Sequence, residues 1–300
     1  MSVGWCRHLL DCQLWRGRMK IAFNGATTMT ADLETDIRAA GAAGYDLIEL
    51  RSNKLYDYLN DHSVDDLKVL LHETGISVLS INTLEHITWR SDEDYAAIKS
   101  ECARLCEISQ AIGCPHVLSV PGVLRQGPKT EHETIDESVR VLNELADIAE
   151  PYGIKIGFEF LGEANNSVQT LDLGSKIISL VGRESVGNVM DTYHFYAGSS
   201  SYEAIDRLDP KKLFIFHIND AEDLPKSELN DSKRLYPGLG ILPIAEIKEH
   251  LDGIGYDGPT SVEIFRPEYW EQDPFAVAKT AKDATERVLG LGKYAAGGSW

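Results

Sequence analysis

Long hydrophobic runs are absent from the sequence. A helix that crosses a membrane needs about 20 consecutive apolar residues, and Asp, Glu, Lys or Arg interrupts every apolar stretch of this chain. The start of the chain is also a poor secretory signal, because Arg7, His8, Asp11 and Gln13 break up the apolar segment that a signal requires. We therefore expect a cytoplasmic protein with no membrane partner.

Basic residues are scarce relative to acidic ones. The chain has 29 Lys and Arg against 47 Asp and Glu, which gives a formal net charge of −18. A potential of that sign repels a phosphate backbone. We therefore do not expect nucleic acid as a partner, and a small molecule is the expected class of ligand.

Cysteine is too sparse for a disulfide framework in a chain of this size. The five cysteines are Cys6, Cys12, Cys102, Cys106 and Cys114. Cys102 and Cys106 are four residues apart on a predicted helix, so a metal or redox pair is one interpretation. Small buried apolar residues are the simpler one, and we expect reduced thiols without chemistry.

One domain accounts for the length of the chain. With 300 residues, 43% of them hydrophobic, the chain can bury one large core. Met19 and Lys20 stand directly before the first strand-like run. We therefore expect residues 1–18 to be an extension outside the fold, residues 19–292 to form the domain, and residues 293–300 to be a tail. The sequence leaves open whether the domain assembles into a homo-oligomer.

Strand-like apolar runs alternate with amphipathic helical stretches, which is the pattern of βα repetition. Gly44, Gly75, Gly113 and Gly153 each precede such a run, where the residue after a helix needs a left-handed backbone. No glycine-rich dinucleotide fingerprint follows the first strand, which disfavours a doubly wound open sheet. Eight parallel units predict a TIM (β/α)8 barrel. Its strands are expected at residues 20–24, 47–51, 78–82, 116–120, 154–160, 186–191, 213–217 and 260–265.

Metal-ligand residues stand at the ends of the last four predicted strands. These are Glu159, Asp191, His217 and Glu263, and strand ends converge on one face of such a barrel. Three carboxylates among apolar residues repel one another unless a cation compensates them. An imidazole with three carboxylates suits one divalent ion, Mn²⁺, Zn²⁺, Co²⁺ or Mg²⁺. The alternative is that each acid caps a helix or pairs with Lys or Arg.

Further polar residues are expected around the same mouth. His194 follows Asp191 and could donate to a substrate oxygen or bond within its own loop. Arg266 could orient a hydroxyl-rich ligand or pair with Glu268. Trp89 lies with His86 in the loop after the third strand and could close over a substrate. The expected substrate-binding residues are His194, Arg266, Asn82, Glu49, Asn219 and Trp89, and Arg51, Tyr193 and Asp220 also follow or end strands on this face.

Several segments resemble a known family. They are Phe-Asn-Gly-Ala-Thr-Thr (23–28), Asp-His-Ser-Val-Asp-Asp-Leu (61–67), Asp-Ile-Ala-Glu-Pro-Tyr-Gly (147–153), Met-Asp-Thr-Tyr-His-Phe (190–195), Phe-His-Ile-Asn-Asp (216–220) and Ser-Val-Glu-Ile-Phe-Arg-Pro-Glu-Tyr (261–269). With them the chain resembles the sugar phosphate isomerase/epimerase superfamily of xylose isomerase-like TIM barrels, and within it the inosose isomerases of inositol catabolism.

The resemblance implies the metal set named above, with Glu159 and Glu263 also acting as the catalytic proton-transfer groups. It implies that His194 contacts a substrate oxygen. The implied reaction interconverts 2-keto-myo-inositol and 1-keto-D-chiro-inositol through an enediolate, and the resemblance does not say which glutamate takes the proton from carbon. Gly25 departs from the family pattern, in which close relatives carry a glutamate.

Other functions could use the same site. A keto-sugar epimerase, a hydroxypyruvate isomerase-like enzyme or an inosose dehydratase would share the proton abstraction, and a sugar-binding or regulatory barrel would lack it. Glu222 and Asp223 stand where keto-hexose 3-epimerases tend to carry an arginine. A three-metal nuclease is disfavoured, because residues 218–249 contain no histidine.

Overall fold

Eight parallel strands close into a barrel in the computed structural model, which describes residues 19–124, 127 and 129–291. Around the barrel the strands follow the order β1-β10-β7-β6-β5-β4-β3-β2. The predicted TIM barrel is therefore confirmed, while the expected extension at residues 1–18 and the tail at residues 293–300 lie outside the described residues. The barrel strands are β1 Ile21–Asn24, β2 Leu47–Arg51, β3 Ser77–Leu84, β4 His116–Ser119, β5 Lys155–Glu159, β6 Val186–Asp191, β7 Leu213–Ile218 and β10 Thr260–Val262.

A short antiparallel hairpin lies between β7 and β10. It pairs β8, Asp220–Ala221, with β9, Arg234–Leu235. The Asp220 carboxylate organises the loop around it, because it accepts the backbone N–H groups of Ala221, Gly238 and Leu242 at 2.9, 3.0 and 2.8 Å. No apolar run in the sequence predicts this hairpin, because each of its strands has only two residues.

Helices surround the barrel, and most of them begin at a side-chain cap. The third helix shows how: Ser63 and Asp66 bond each other's backbone N–H in the capping box that satisfies its first turn. At its other end Gly75 takes φ 69°, a left-handed backbone, and Gly44, Gly113 and Gly153 do the same after their helices as predicted. The helices are α1 Leu33–Ala43, α2 Ser52–Asp61, α3 Val64–Thr74, α4 Asp92–Ile112, α5 Glu131–Ala149, α6 Leu171–Val181, α7 Thr192–Ala197, α8 Tyr202–Asp206, α9 Ile244–Gly253, α10 Pro267–Trp270 and α11 Pro274–Val288.

Strand alternation places a polar layer directly above an apolar floor inside the barrel. Val189 and Ile215 belong to the apolar cluster that fills the barrel interior. Asp191 and His217 stand two residues further along the same strands and therefore share the inward face. A second, larger apolar cluster packs the outer faces of the strands against the helices. The barrel thus holds its polar groups at one end, on a closed hydrophobic base.

Within the part of the chain that the structure describes, no helix combines the length and the apolar character needed to cross a membrane.

Candidate metal centre

Four strand ends bring Glu159, Asp191, His217 and Glu263 together. Glu159 and Asp191 are the last residues of β5 and β6, His217 is the penultimate residue of β7, and Glu263 directly follows β10. One ligand atom from each residue lies within 4.8 Å of the other three, and all four residues are buried. The four residues that the sequence singled out are therefore close enough to share one ion.

His217 lies at the centre of this cluster. Its Nδ1 is 3.0 Å from Glu159 Oε1 and 3.4 Å from Glu263 Oε2. On the other side of the ring, Nε2 is 3.0 Å from Glu49 Oε1. The ring is fully buried, so its two nitrogens have no access to solvent.

Negative charge exceeds positive charge in this buried space. Burial raises the pKa of Glu159, although His217 opposes that shift. Burial alone would also raise the pKa of Glu263, but His217 and Arg234 outweigh it and hold that pKa well below its usual range. With Glu49 and Asp191 there are four carboxylates for one guanidinium and one imidazole. A divalent cation fits this donor set, because it supplies the missing positive charge.

Arg234 is a site residue that the sequence analysis missed. Its side chain is 1% exposed and lies 3.1 Å from Asp191 Oδ2 and 3.2 Å from Glu263 Oε2. It also lies 2.6 Å from Asp231 and 3.1 Å from His194 Nε2. No local pattern marks this residue, because it follows Lys233 in a polar loop. Only the β8–β9 pairing buries Arg234 and leaves Lys233 half-buried.

Side-chain amide groups fix the carboxylates in place. Asn219 Nδ2 donates to Asp191 Oδ2 at 2.6 Å and to the Glu263 carbonyl at 3.1 Å. Asn24 Nδ2 donates to Glu263 Oε1 at 3.0 Å, and Asn82 Nδ2 donates to the same oxygen at 3.1 Å. Such a frame holds buried charges in one geometry, which a metal site requires.

A cavity of about 310 Å³ opens above the cluster. Glu159 and Glu263 form part of its wall and are 3% exposed, whereas Asp191 and His217 are fully buried and do not line it. Of the predicted substrate contacts, Asn82 and His194 line it as well. Its remaining wall is formed by Arg51, Thr83, Glu85, His86, Val120, Val123, Leu161, Glu163, Ala164, Asn166, Asp231, Arg234 and Phe265.

The other predicted substrate contacts lie elsewhere. Glu49 and Asn219 are fully buried against the ligand residues, below the cavity. Arg266 stands outside the wall and pairs with Glu222 at 2.7 Å and Glu268 at 3.3 Å. Trp89 lines an adjoining cavity of about 520 Å³, to which His86 also contributes. Glu49, Asn219, Arg266 and Trp89 therefore do not line the 310 Å³ cavity, and their contacts with a substrate stay predictions.

His194 is held near the cluster by a hydrogen bond of its backbone N–H group. It donates to Asp191 Oδ1 at 2.9 Å, so Asp191 caps the helix that carries His194. The Nδ1 atom of His194 is buried and has no hydrogen-bond partner among the described residues. A buried unpartnered ring nitrogen in a cavity wall suits a ligand oxygen.

Comparisons with known proteins agree with this geometry. A family model described as "Xylose isomerase-like TIM barrel" matches residues 37–287. An inosose isomerase of Bacillus velezensis is 39% identical, over 90% of this chain and 97% of its own length. One of Bacillus subtilis (strain 168) is also 39% identical, over 90% and 98%. The crystal structure of an IOLI protein with a bound zinc atom superposes with a TM-score of 0.88 and 38% identity, over 91% of this chain and 98% of that one.

Proposed function

The chain belongs to the xylose isomerase-like TIM barrel family, and from this premise we propose that it is a divalent-metal-dependent isomerase of a keto-polyol. The substrate that fits best is 2-keto-myo-inositol, with 1-keto-D-chiro-inositol as the product, because relatives that span nearly the whole chain carry the name inosose isomerase. Glu159, Asp191, His217 and Glu263 would hold the ion.

One observation carries this proposal: Glu159 and Glu263 belong both to the ligand cluster and to the cavity wall. Asp191 and His217 can only hold an ion, since neither reaches the cavity. The two glutamates can in addition touch a molecule that occupies the cavity. This division matches a reaction in which carboxylates move protons beside a bound cation.

The chemistry needs two proton movements and no external oxidant. One proton leaves the carbon beside the ketone and is returned to the former carbonyl carbon, while a hydroxyl proton moves between the two oxygens. Glu159 and Glu263 share these transfers, and general acid–base catalysis of this kind contributes about 10²- to 10⁴-fold in rate. When bound, the divalent ion supplies positive charge that stabilises the enediolate oxygens by several kcal/mol.

Neighbouring side chains orient the substrate. His194 offers its unpartnered Nδ1 to a substrate oxygen, and Asn82 stands in the same wall. The cavity carries Arg51 and Arg234 together with the amides of Asn82 and Asn166, which suits a ligand covered with hydroxyl groups. Phe265 supplies an apolar face to the same wall.

The test is an incubation of the metal-loaded protein with 2-keto-myo-inositol in D₂O, followed by NMR. Deuterium incorporation together with the signals of a second ketose is the expected result. Loss of water would identify a dehydratase instead, and inversion at a single carbon would identify an epimerase. The absence of both exchange and any new product would overturn the assignment of this substrate.

Matched variants make this assay specific for the site. Glu159→Gln and Glu263→Gln should each reduce the exchange rate by about 100-fold or more, because each removes a proton-transfer group and a charged ligand. Glu268→Gln is the control, since Glu268 is largely exposed, pairs with Arg266 and does not line the cavity. It should exchange at the wild-type rate.

A further inference from the structure

Glu49 is a buried carboxylate that the proposed reaction does not use. It lies on β2, is fully buried and does not belong to the cavity wall. Its Oε1 is 3.0 Å from His217 Nε2 and 3.2 Å from Asn24 Nδ2, and its Oε2 accepts the Ser80 hydroxyl at 2.5 Å. A substrate cannot reach Glu49 without displacing His217 or the side chains of Asn24 and Ser80, which contact it.

The two nitrogens of His217 have different tasks. Nδ1 faces Glu159 and Glu263, on the side where an ion would sit. A neutral imidazole that offers a lone pair on Nδ1 must carry its proton on Nε2. That proton then needs an acceptor in a fully buried position. Nε2 has no aligned hydrogen-bond partner among the described residues, and Glu49 Oε1 lies 3.0 Å from it.

We propose that Glu49 is a positioning residue, which holds the proton of His217 on Nε2 and keeps Nδ1 turned toward the ion site. This inference rests on the proposed function, since it assumes that His217 ligates a metal. A carboxylate behind a ligating histidine fixes both the tautomer and the orientation of the ring. Glu49 therefore acts on the metal through His217 and does not touch substrate.

Two further residues hold Glu49 in turn. Ser80 on β3 anchors one oxygen, and Asn24 on β1 anchors the other. The Asn24 amide also donates to Glu263 Oε1, so one side chain connects Glu49 with a ligand on the opposite side of His217. The orientation of His217 is thus determined from three strands that contribute no ligand of their own.

The test compares metal binding by the full chain and its Glu49 variants. Metal-free protein is titrated with Zn²⁺ by calorimetry and with Co²⁺ by visible absorption. Glu49→Ala should bind both ions about 10- to 100-fold more weakly than the wild type. Glu49→Gln should recover much of this loss, because the amide oxygen still accepts the proton of Nε2. The Co²⁺ bands of Glu49→Ala should also change, because the histidine ligand is no longer held.

A purely structural role predicts a different result. It would lower the unfolding temperature of the metal-free variant and leave the affinity of the folded protein unchanged. Our proposal predicts instead that the unfolding temperature of metal-free Glu49→Ala does not fall, because the buried site already contains more carboxylates than cationic groups. Ser80→Ala releases only one oxygen of Glu49, so this variant should lose less metal affinity than Glu49→Ala. If Glu49→Ala does not fold, the same titrations of Ser80→Ala test the proposal. Glu73→Ala, on the exposed end of α3, is the matched control.

The outcomes separate this inference from the proposed function. Wild-type affinity and an unchanged Co²⁺ spectrum in Glu49→Ala would overturn the role of Glu49 and leave the metal site intact. A wild-type protein that binds neither ion would overturn the proposed function, and the inference with it.

Discussion

Arg234 is the residue on which the charge balance of the ligand cluster depends. Its guanidinium contacts Asp191, Glu263 and Asp231 at the same time, and its plane also lies over Tyr193 and Phe265. Lysine cannot reproduce this, because it has one ammonium group and no planar fork. Arg234 is therefore expected to hold the ligands in the geometry that catalysis needs.

We predict that Arg234→Met lowers kcat/KM by about 100-fold, since each charge-assisted hydrogen bond contributes about 1.5 to 3 kcal/mol. Arg234→Lys should recover only part of this loss. Steady-state kinetics with the keto-polyol substrate measures both effects. Arg38→Met, which removes a half-exposed partner of Glu34 on α1, should leave kcat/KM unchanged. Wild-type kinetics in Arg234→Met would show that the ligands need no guanidinium.

The clustering of four candidate ligand residues could be predicted, and much of their environment could not. Glu159, Asp191, His217 and Glu263 end or follow apolar runs, so the sequence displays them directly. Glu49 is the middle residue of β2, and it sits below the cavity. The height of a residue along the barrel axis depends on the stagger between strands, which periodicity along one strand does not contain.

At the scale of elements, the β8–β9 hairpin positions Arg234 beside Asp191 and Glu263. Each of its strands has two residues, which is too short for a periodic pattern. Asp220 holds it by accepting three backbone N–H groups. Gly240 also belongs to this packing, because a Cβ there would lie 2.0 Å from the Ala221 carbonyl oxygen.

Asp220→Ala should therefore destabilise the protein and impair catalysis together. Loss of the acceptor leaves the N–H groups of Ala221, Gly238 and Leu242 without their partner, and we expect a decrease of about 2 to 3 kcal/mol in the free energy of unfolding. Urea denaturation measures this, and kcat/KM should fall as Arg234 loses its support. Asp223→Ala, at an exposed position in the same loop, should change neither quantity. Equal effects of the two variants would contradict the assigned role of Asp220.

A buried ion pair joins the elements that follow β1 and β2. Lys54 on α2 donates to Asp36 on α1 at 2.6 Å and to the carbonyls of Gly25 and Thr28 at 2.9 and 2.8 Å. Burial raises the pKa of Asp36 to about 7, although Lys54 and Thr28 oppose the shift. A Cβ at Gly25 would lie 2.8 Å from Asp36 Oδ2, which accounts for the small residue at this position.

Lys54→Met should destabilise the protein by about 3 to 5 kcal/mol near pH 8, because it leaves a buried carboxylate without its cation. The loss should be smaller near pH 5. Folding raises the pKa of the Asp36 carboxyl group. Its contribution to the free energy of unfolding is therefore complete below the pKa of the unfolded chain and is lost as the pH rises through about 7. Denaturation curves at the two pH values test the sign. Lys68→Met removes an exposed partner of Asp65, and its small effect should not depend on pH.

Expected and observed strand bounds differ most where pairing stops before the apolar run ends, as in β10, or continues past the expected end, as in β3. The eighth strand was expected at residues 260–265, and β10 ends at Val262. The run Ile264-Phe265 looks like more strand, but the Ile264 N–H donates to the Thr27 hydroxyl at 3.2 Å instead of a neighbouring strand. That contact is distant in sequence, so apolar periodicity could not indicate it.

At the scale of the whole molecule, an ion in the cluster should stabilise the entire barrel. The four proposed ligands come from or directly follow four different strands, so folding assembles the site and the unfolded chain lacks it. At 100 times its dissociation constant a ligand adds about 2.7 kcal/mol to the free energy of unfolding. The unfolding temperature should therefore be several degrees higher with Zn²⁺ or Mn²⁺ than with EDTA.

Glu263→Gln supplies the comparison for this measurement. The variant loses one charged ligand, so its unfolding temperature should respond less to the same ions. An identical response of the two proteins would place the bound ion elsewhere on this acidic surface. Calorimetric scans of both proteins at matched ion concentrations distinguish the two cases.

The order of the strands has a consequence for how new specificities can arise. β10, β7, β6 and β5 are consecutive neighbours in the barrel and carry all four proposed ligands. The opposite half contributes to the cavity wall from β2, β3 and the segments that follow β3 and β4, with the residues Arg51, Asn82, Thr83, His86 and Val123. Loops of that half can be exchanged to admit a differently shaped molecule while the reactive half keeps its arrangement. A designer seeking another substrate should begin there.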